Sequence, residues 1–111
     1  MDNKDLFTET YEKYDYLKTY FYYFGEVVFI GETAHKTVAT VISPDNESVQ
    51  PKEFIITNYN LVSELYDLVD EYNQLTDAQS AFDERSSNWW NIEDDIQGVE
   101  DDIYNIITCD L

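Results

Sequence analysis

Six carboxylates stand in two identical triplets, Glu93-Asp94-Asp95 and Glu100-Asp101-Asp102, one heptad apart. Carboxylates without neighbouring cations can coordinate a hard metal ion, or they can receive the lysines and arginines of a basic partner. Nothing in the spacing converges ligands on one point, so the triplets are expected to bind a divalent ion weakly at most. Asp45-Asn46-Glu47 lacks the spacing and the glycine of a calcium loop. No dedicated metal site and no cofactor are expected. Other reactive side chains are few. His35 is the only histidine and falls in or beside a predicted hairpin turn, where a solvated role is expected. Cys109 is alone, which excludes an intrachain disulfide and a cysteine zinc cluster. Gly25, Gly31 and Gly98 are the only glycines and build no phosphate loop, and no serine or cysteine sits in a nucleophile motif. Paired carboxylates for glycoside chemistry fit poorly with so small and acidic a chain. The reading is a non-enzyme with no catalytic residues, whose carboxylates meet a partner.

The triplets belong to a segment with a heptad seam. Trp89, Ile92, Ile96, Val99, Ile103 and Ile106 step by three, four, three, four and three, which predicts a helix opened by Ser86, Ser87 or Asn88. All six acids are expected on the face opposite that seam, the two triplets about 10.5 Å apart along the axis. Six carboxylates without one lysine forgo the usual i,i+4 pairing, so the pattern costs local stability. Gly98 in mid-helix costs more and marks a candidate bend.

Upstream, Asn58 or Asn60 can cap a helix with the apolar set Leu61, Val62, Leu65, Leu68, Val69, Tyr72 and Leu75. Glu64, Asp67, Asp70 and Glu71 take its other face. Thr76-Asp77-Ala78-Gln79 matches a capping box, which predicts a separate short helix through about Arg85. Glu26–Gly31, Lys36–Ser43 and Glu53–Thr57 are rich in β-branched and apolar residues and read as three strands, with a turn near Thr33-Ala34-His35 and a loop over Ser43–Lys52. At the N-terminus, Phe7, Tyr11, Tyr14, Leu17, Phe21 and Phe24 recur at steps of three and four, the stripe of one helix. Asp2, Asn3 or Asp5 is its candidate start cap and Gly25 its end cap. Strand propensity across Tyr20–Phe24 argues for an early end to it. Tyr11, Tyr14, Phe21 and Phe24 are assigned to the core. The expected fold is α+β: an N-terminal helix, a three-stranded antiparallel sheet, then two or three acidic helices, in one domain over residues 1–111.

The whole composition reinforces the acidic signal. The 111 residues hold 24 Asp and Glu against six Lys and Arg, a net charge of −18. Residues 1–52 contribute −4 and residues 53–111 contribute −14, with Arg85 the only base in the second part. Such charge is not needed for folding, since self-repulsion opposes the compact state. Disorder is excluded by ten Tyr, six Phe and two Trp, which supply a core. Halophilic adaptation fits poorly, because Tyr, Ile, Asn and Lys are abundant while Ala and Arg are scarce; that bias points to an AT-rich genome. Direct nucleic-acid binding is excluded by charge, and an anionic membrane would repel the chain. No signal peptide and no spanning segment is visible, so the expected place is the cytoplasm, that of the host cell if the chain is phage-encoded.

In kind, the chain resembles the acidic DNA-mimic inhibitors of phages and mobile elements: anti-restriction proteins, anti-CRISPR proteins and uracil-DNA glycosylase inhibitors. The resemblance lies in small size, extreme acidity, aromatic content and acidic helices. Locally, Leu61–Leu75 is similar to the acidic helices of the ArdA-type anti-restriction proteins. What this implies is a target class, a restriction enzyme, Cas effector, repair enzyme or nucleoid protein whose DNA groove the chain fills. The expected partner-binding residues are Glu64, Asp67, Asp70, Glu71, Glu93, Asp94, Asp95, Glu100, Asp101 and Asp102, extended by Asp77, Asp83 and Glu84. Trp89 is assigned to the seam, leaving Trp90 as the interface aromatic. The alternative is an immunity or antitoxin protein that plugs the basic active site of one toxin or nuclease with hot-spot aromatics. A third reading makes the acids a solvated face of an adaptor. A homodimer would double any acidic stripe.

Overall fold

The N-terminal aromatic stripe divides between a helix and a strand. The computed structural model describes residues 3–44 and 48–109, and α1 (Asn3–Lys13) ends well before Phe24. Beyond it the chain extends into β1 (Tyr16–Tyr23), so the sheet has four strands and not three. Aromatics this dense satisfy a step of two as well as steps of three and four. Tyr-Leu-Lys-Thr-Tyr-Phe-Tyr-Tyr has strong strand propensity, and pairing with an apolar neighbour decides the contest. Gly25 has positive φ as expected, but it sits in a hairpin turn and not at a helix end. The proposed start caps Asp2, Asn3 and Asp5 and the Asp45-Asn46-Glu47 triplet lie outside the residues described at side-chain level.

Strands β1, β2 (Glu26–Thr33), β3 (Lys36–Ile42) and β4 (Lys52–Ile56) form an antiparallel meander in chain order. Both tight hairpins join strands through two residues. Phe24 and Gly25 have φ of 47° and 79°, and Ala34 and His35 have 50° and 65°. Two successive positive φ angles are the type I′ geometry, whose twist matches the strands it joins. A bulge at Lys18 shifts the β1–β2 register between Leu17 and Thr19. That irregularity lies where the chain crosses Gly31, which has no room for a side chain: a Cβ there would lie 2.4 Å from the Tyr16 carbonyl oxygen.

The two faces of the sheet are covered unequally. One face places Phe21, Val28, Ile30, Ala39, Val41 and Ile56 against Leu65, Val69, Val99, Ile103, Ile106 and Ile107 of the two long helices. The other packs Val27, Phe29 and Ile42 under Leu6 and Phe7 of α1, with Tyr14 and Leu17 beside them. On that side Phe7 meets Tyr20 edge-on at 5.3 Å, and Phe29 lies 5.2 Å from Phe7. The Tyr14 hydroxyl pins the α1–β1 junction to the sheet through Thr40 Oγ1 at 2.7 Å and the Val38 carbonyl at 3.2 Å. Burial pushes that phenol up to about 12.

Helix α2 (Tyr59–Gln79) starts as expected, with Asn58 Oδ1 accepting from the Asn60 and Leu61 amides. It does not break at Thr76. The Thr76 hydroxyl donates back to the Asn73 carbonyl at 3.0 Å, and the helix runs through the predicted capping box to Ser80. Side-chain bonding to a preceding carbonyl lets a threonine sit inside a helix where a cap was expected. Helix α3 (Ser87–Cys109) is also continuous through Gly98. Around that glycine a Cβ would meet nothing within 4 Å.

Candidate functional site

Helices α2 and α3 form an antiparallel hairpin. Its closed end is fixed by Gln79 Nε2, which donates to Glu93 Oε2 at 2.7 Å and to the Trp89 carbonyl at 3.4 Å. The apolar seams of both helices face the sheet, as the periodicity requires. The opposite surfaces therefore carry the polar residues. The two helices hold eleven carboxylates, five on α2 and six on α3, and no lysine or arginine.

Most of the predicted site residues are exposed together on this hairpin. Glu64, Asp67, Asp70, Glu71 and Asp77 are exposed on α2, and Asp94, Asp95, Asp101 and Asp102 are exposed on α3. The first residue of each triplet is different. Glu93 and Glu100 are half-buried, so the six triplet acids do not form one outward face. A heptad has two positions flanking the seam, and these glutamates occupy one of them, in line with the fully buried Ile107. Two outward carboxylates remain per heptad, about one per 5 Å of axis. A single DNA strand carries one charge per ~3.4 Å.

The half-buried pair strains the electrostatics of the hairpin. Burial, then Glu93 and then Asp101 push the Glu100 carboxyl up from 4.5 to about 7. No cation is among the groups that act on it. Burial and then these same glutamates raise the Tyr72 phenol on α2 to about 12. Tyr23 donates its hydroxyl to Asp101 Oδ1 at 2.6 Å, and that bond, with a smaller effect of burial, lifts its phenol to about 12. Its ring stacks on Tyr104 at 4.5 Å, tying β1 to α3. Asp83 and Glu84 are in the turn between the helices. Asp83 Oδ1 accepts from the Arg85 amide at 2.9 Å, and the Glu84 carbonyl accepts from Trp90 Nε1 at 2.7 Å. Trp90 is 56% exposed and Trp89 is half-buried, with their rings edge to face at 4.8 Å.

Sequence reasoning missed the exposed aromatics of β1. Phe24, assigned to the core, is 88% exposed at the tip of the first hairpin, and Tyr11 is also exposed; only Phe21 of the four is fully buried. Tyr22 is 68% exposed on the strand before the tip. The signal was present: Tyr20, Tyr22 and Phe24 alternate at period two, and Phe-Gly stands directly before Glu-Val-Val-Phe-Ile. Tyr22, Tyr23 and Phe24 line a groove with Gln97, Glu100 and Asp101 of α3.

His35 lines a second, open hollow with Asp15, Tyr16 and Glu32. Its carboxylates already serve the fold. Asp15 Oδ2 accepts from the Ala34 amide at 2.9 Å, and Glu32 Oε1 accepts from the Tyr66 hydroxyl at 2.9 Å. Among the described residues no group of three or more His, Cys, Asp or Glu is placed to hold a metal ion. Among the same residues no helix is long and apolar enough to cross a membrane. Comparison of the chain with protein-family models, with curated proteins and with solved structures finds no match.

Proposed function

We propose that this chain is a DNA mimic, which inhibits a DNA-binding protein by filling its nucleic-acid groove with the carboxylates of α2 and α3. The observation that carries the reading is the pair of cation-free helices, with nine carboxylates exposed on two adjacent elements. Adjacent packed helices lie about 8–10 Å apart, so the array has two rows. An ordinary solvated helix surface intersperses lysines with its acids, because the i,i+4 pairs stabilise it. This one sacrifices them. A basic groove that closes on the hairpin regains part of what the repulsion cost, and steered encounter makes the association fast.

Specific observations also favour the second reading, an immunity protein with one cognate toxin or nuclease. Trp90 and the aromatics of the first hairpin are exposed beside the acids, and interfaces with a single partner concentrate their energy in such anchors. The two readings share a basic target and differ in breadth.

Salt titration against a panel of DNA-binding proteins tests the proposal. For a bound target, log affinity should fall linearly with log salt, as it does for DNA, because each neutralised charge releases counterions. Screening shortens to about 3 Å at 1 M, so binding should be largely lost there. An affinity that is flat across this range would remove the carboxylates from the account. Inhibition of several panel members favours mimicry, and inhibition of one alone favours immunity.

A further inference from the structure

We infer that the groove between the first hairpin and α3 receives an arginine side chain of the basic partner, stacked on Phe24 and hydrogen-bonded to Glu100 and Asp101. The inference deepens the proposed function and rests on it for the existence of that partner. Three residues of the hairpin, Tyr22, Tyr23 and Phe24, make one wall, and Gln97, Glu100 and Asp101 of α3 make the other. The open groove between them holds about 240 Å³. Pockets for drug-sized ligands run to roughly 300–1,000 Å³, so this one suits a side chain better than a whole small molecule.

The lining specifies the chemistry of the guest. Two carboxylates demand a cation, and the exposed face of Phe24 favours one that is planar and weakly hydrated. Guanidinium meets both requirements, since it stacks on rings and presents a fork to carboxylates; ammonium is a compact, strongly hydrated charge. The Tyr23 hydroxyl donates to one oxygen of Asp101 and holds that carboxylate beside the hairpin. Tyr23 also meets the Phe24 ring edge-on at 4.7 Å and steadies it. From Ser86 onward the chain has no lysine or arginine of its own to fill the place. A second copy of the chain is disfavoured as the guest by a net charge of −18 on each molecule.

Phe24 is a poor residue for its turn. A bulky aromatic with φ of 47° occupies a backbone region that favours Asn or Gly, and it exposes 88% of its surface in doing so. Neither feature helps the turn to form. The exposed ring is free to meet a guest in the groove.

The test is calorimetric titration of the intact chain at low salt with nona-arginine and nona-lysine peptides, which are equal in charge. The parent should bind the arginine peptide about five- to tenfold more tightly, the range expected of a partly desolvated cation–π contact. Phe24→Asn creates the Asn-Gly pair that the turn prefers, so it should melt no lower than the parent while losing that preference. Asp102→Asn, outside the groove, should weaken both peptides alike and keep the preference. Equal affinity of the parent for the two peptides overturns the arginine site, as does a preference that survives Phe24→Asn. Either result leaves the proposed function standing, provided both peptides bind with steep salt dependence. Failure of both peptides to bind overturns the groove and the acidic array together.

Discussion

Replacing Glu64, Asp67, Asp70, Glu71, Asp94, Asp95 and Asp102 by their amides is expected to abolish inhibition while leaving the fold intact. All seven side chains are exposed, so the change removes seven charges and almost no packing. Association with a basic target should slow by about a hundredfold or more, as the rate falls from the steered regime toward that of a neutral pair. The melting temperature should hold or rise, because like charges along both helices no longer repel. Stopped-flow association and thermal melts read the two effects separately. Glu100 belongs to a different experiment, since its carboxyl is half-buried and raised to about 7. A carboxyl whose folded pKa exceeds its unfolded value contributes stability that is complete below the unfolded value. That contribution is lost as pH rises through about 7. Glu100→Gln should therefore change the melting temperature little near pH 5 and raise it near pH 8. Glu93, half-buried and bonded to Gln79, is left unchanged in both variants.

Packing changes should do the reverse, removing binding only by removing the fold. Ile103 is fully buried where α3 meets the sheet, and Ile103→Ala should cost about 2–5 kcal/mol. Gly31→Ala adds a single methyl and should cost about 1–3 kcal/mol, the usual range for overpacking. The added carbon would lie 2.4 Å from the Tyr16 carbonyl oxygen, 2.8 Å from Tyr14 Cδ1 and 2.9 Å from Leu17 Cα. Two of those three atoms are backbone and cannot swing away, so the bulge at Lys18 would have to shift. Against a stability typical of small domains, about 5–15 kcal/mol, either change is severe. Urea titration should show a lower midpoint for both, and the fraction still folded should bind the target at the parental rate.

What could be read from the sequence follows how strongly each segment commits to one period. The α3 seam allows no strand alternative, and the helix lies where its spacing placed it, with Ile96, Val99, Ile103 and Ile106 buried. Asn58 offered the cap chemistry that α2 uses. Residues 7–24 offered two periods at once, because tyrosine and phenylalanine fill so many positions that either pattern can be drawn through them. Only pairing with the apolar β2 strand resolves the choice, and a pairing between strands is not contained in the local sequence of either. The missing first strand also hid the groove, since a helix ending at Phe24 would turn that ring inward. Thr76-Asp77-Ala78-Gln79 has the residues of a cap box, but the preceding helix had no reason to stop, and the threonine hydroxyl found a carbonyl within it. The acids themselves were legible as exposed, apart from Glu93 and Glu100. Their heptad position beside the seam marked them as flanking residues, which face a neighbouring helix whenever one is packed there.

If the proposed function holds, the acidic hairpin and DNA compete for one groove. That competition is measured most directly by mixing an inhibited DNA-binding protein with its duplex and this chain in varied proportions, and recording the assemblies by native mass spectrometry and the duplex contacts by nuclease footprinting. Two binary complexes are expected, target with duplex and target with chain, and their ratio should follow the concentrations of the competitors. A ternary complex in which the duplex keeps its normal footprint on the target would contradict the competition.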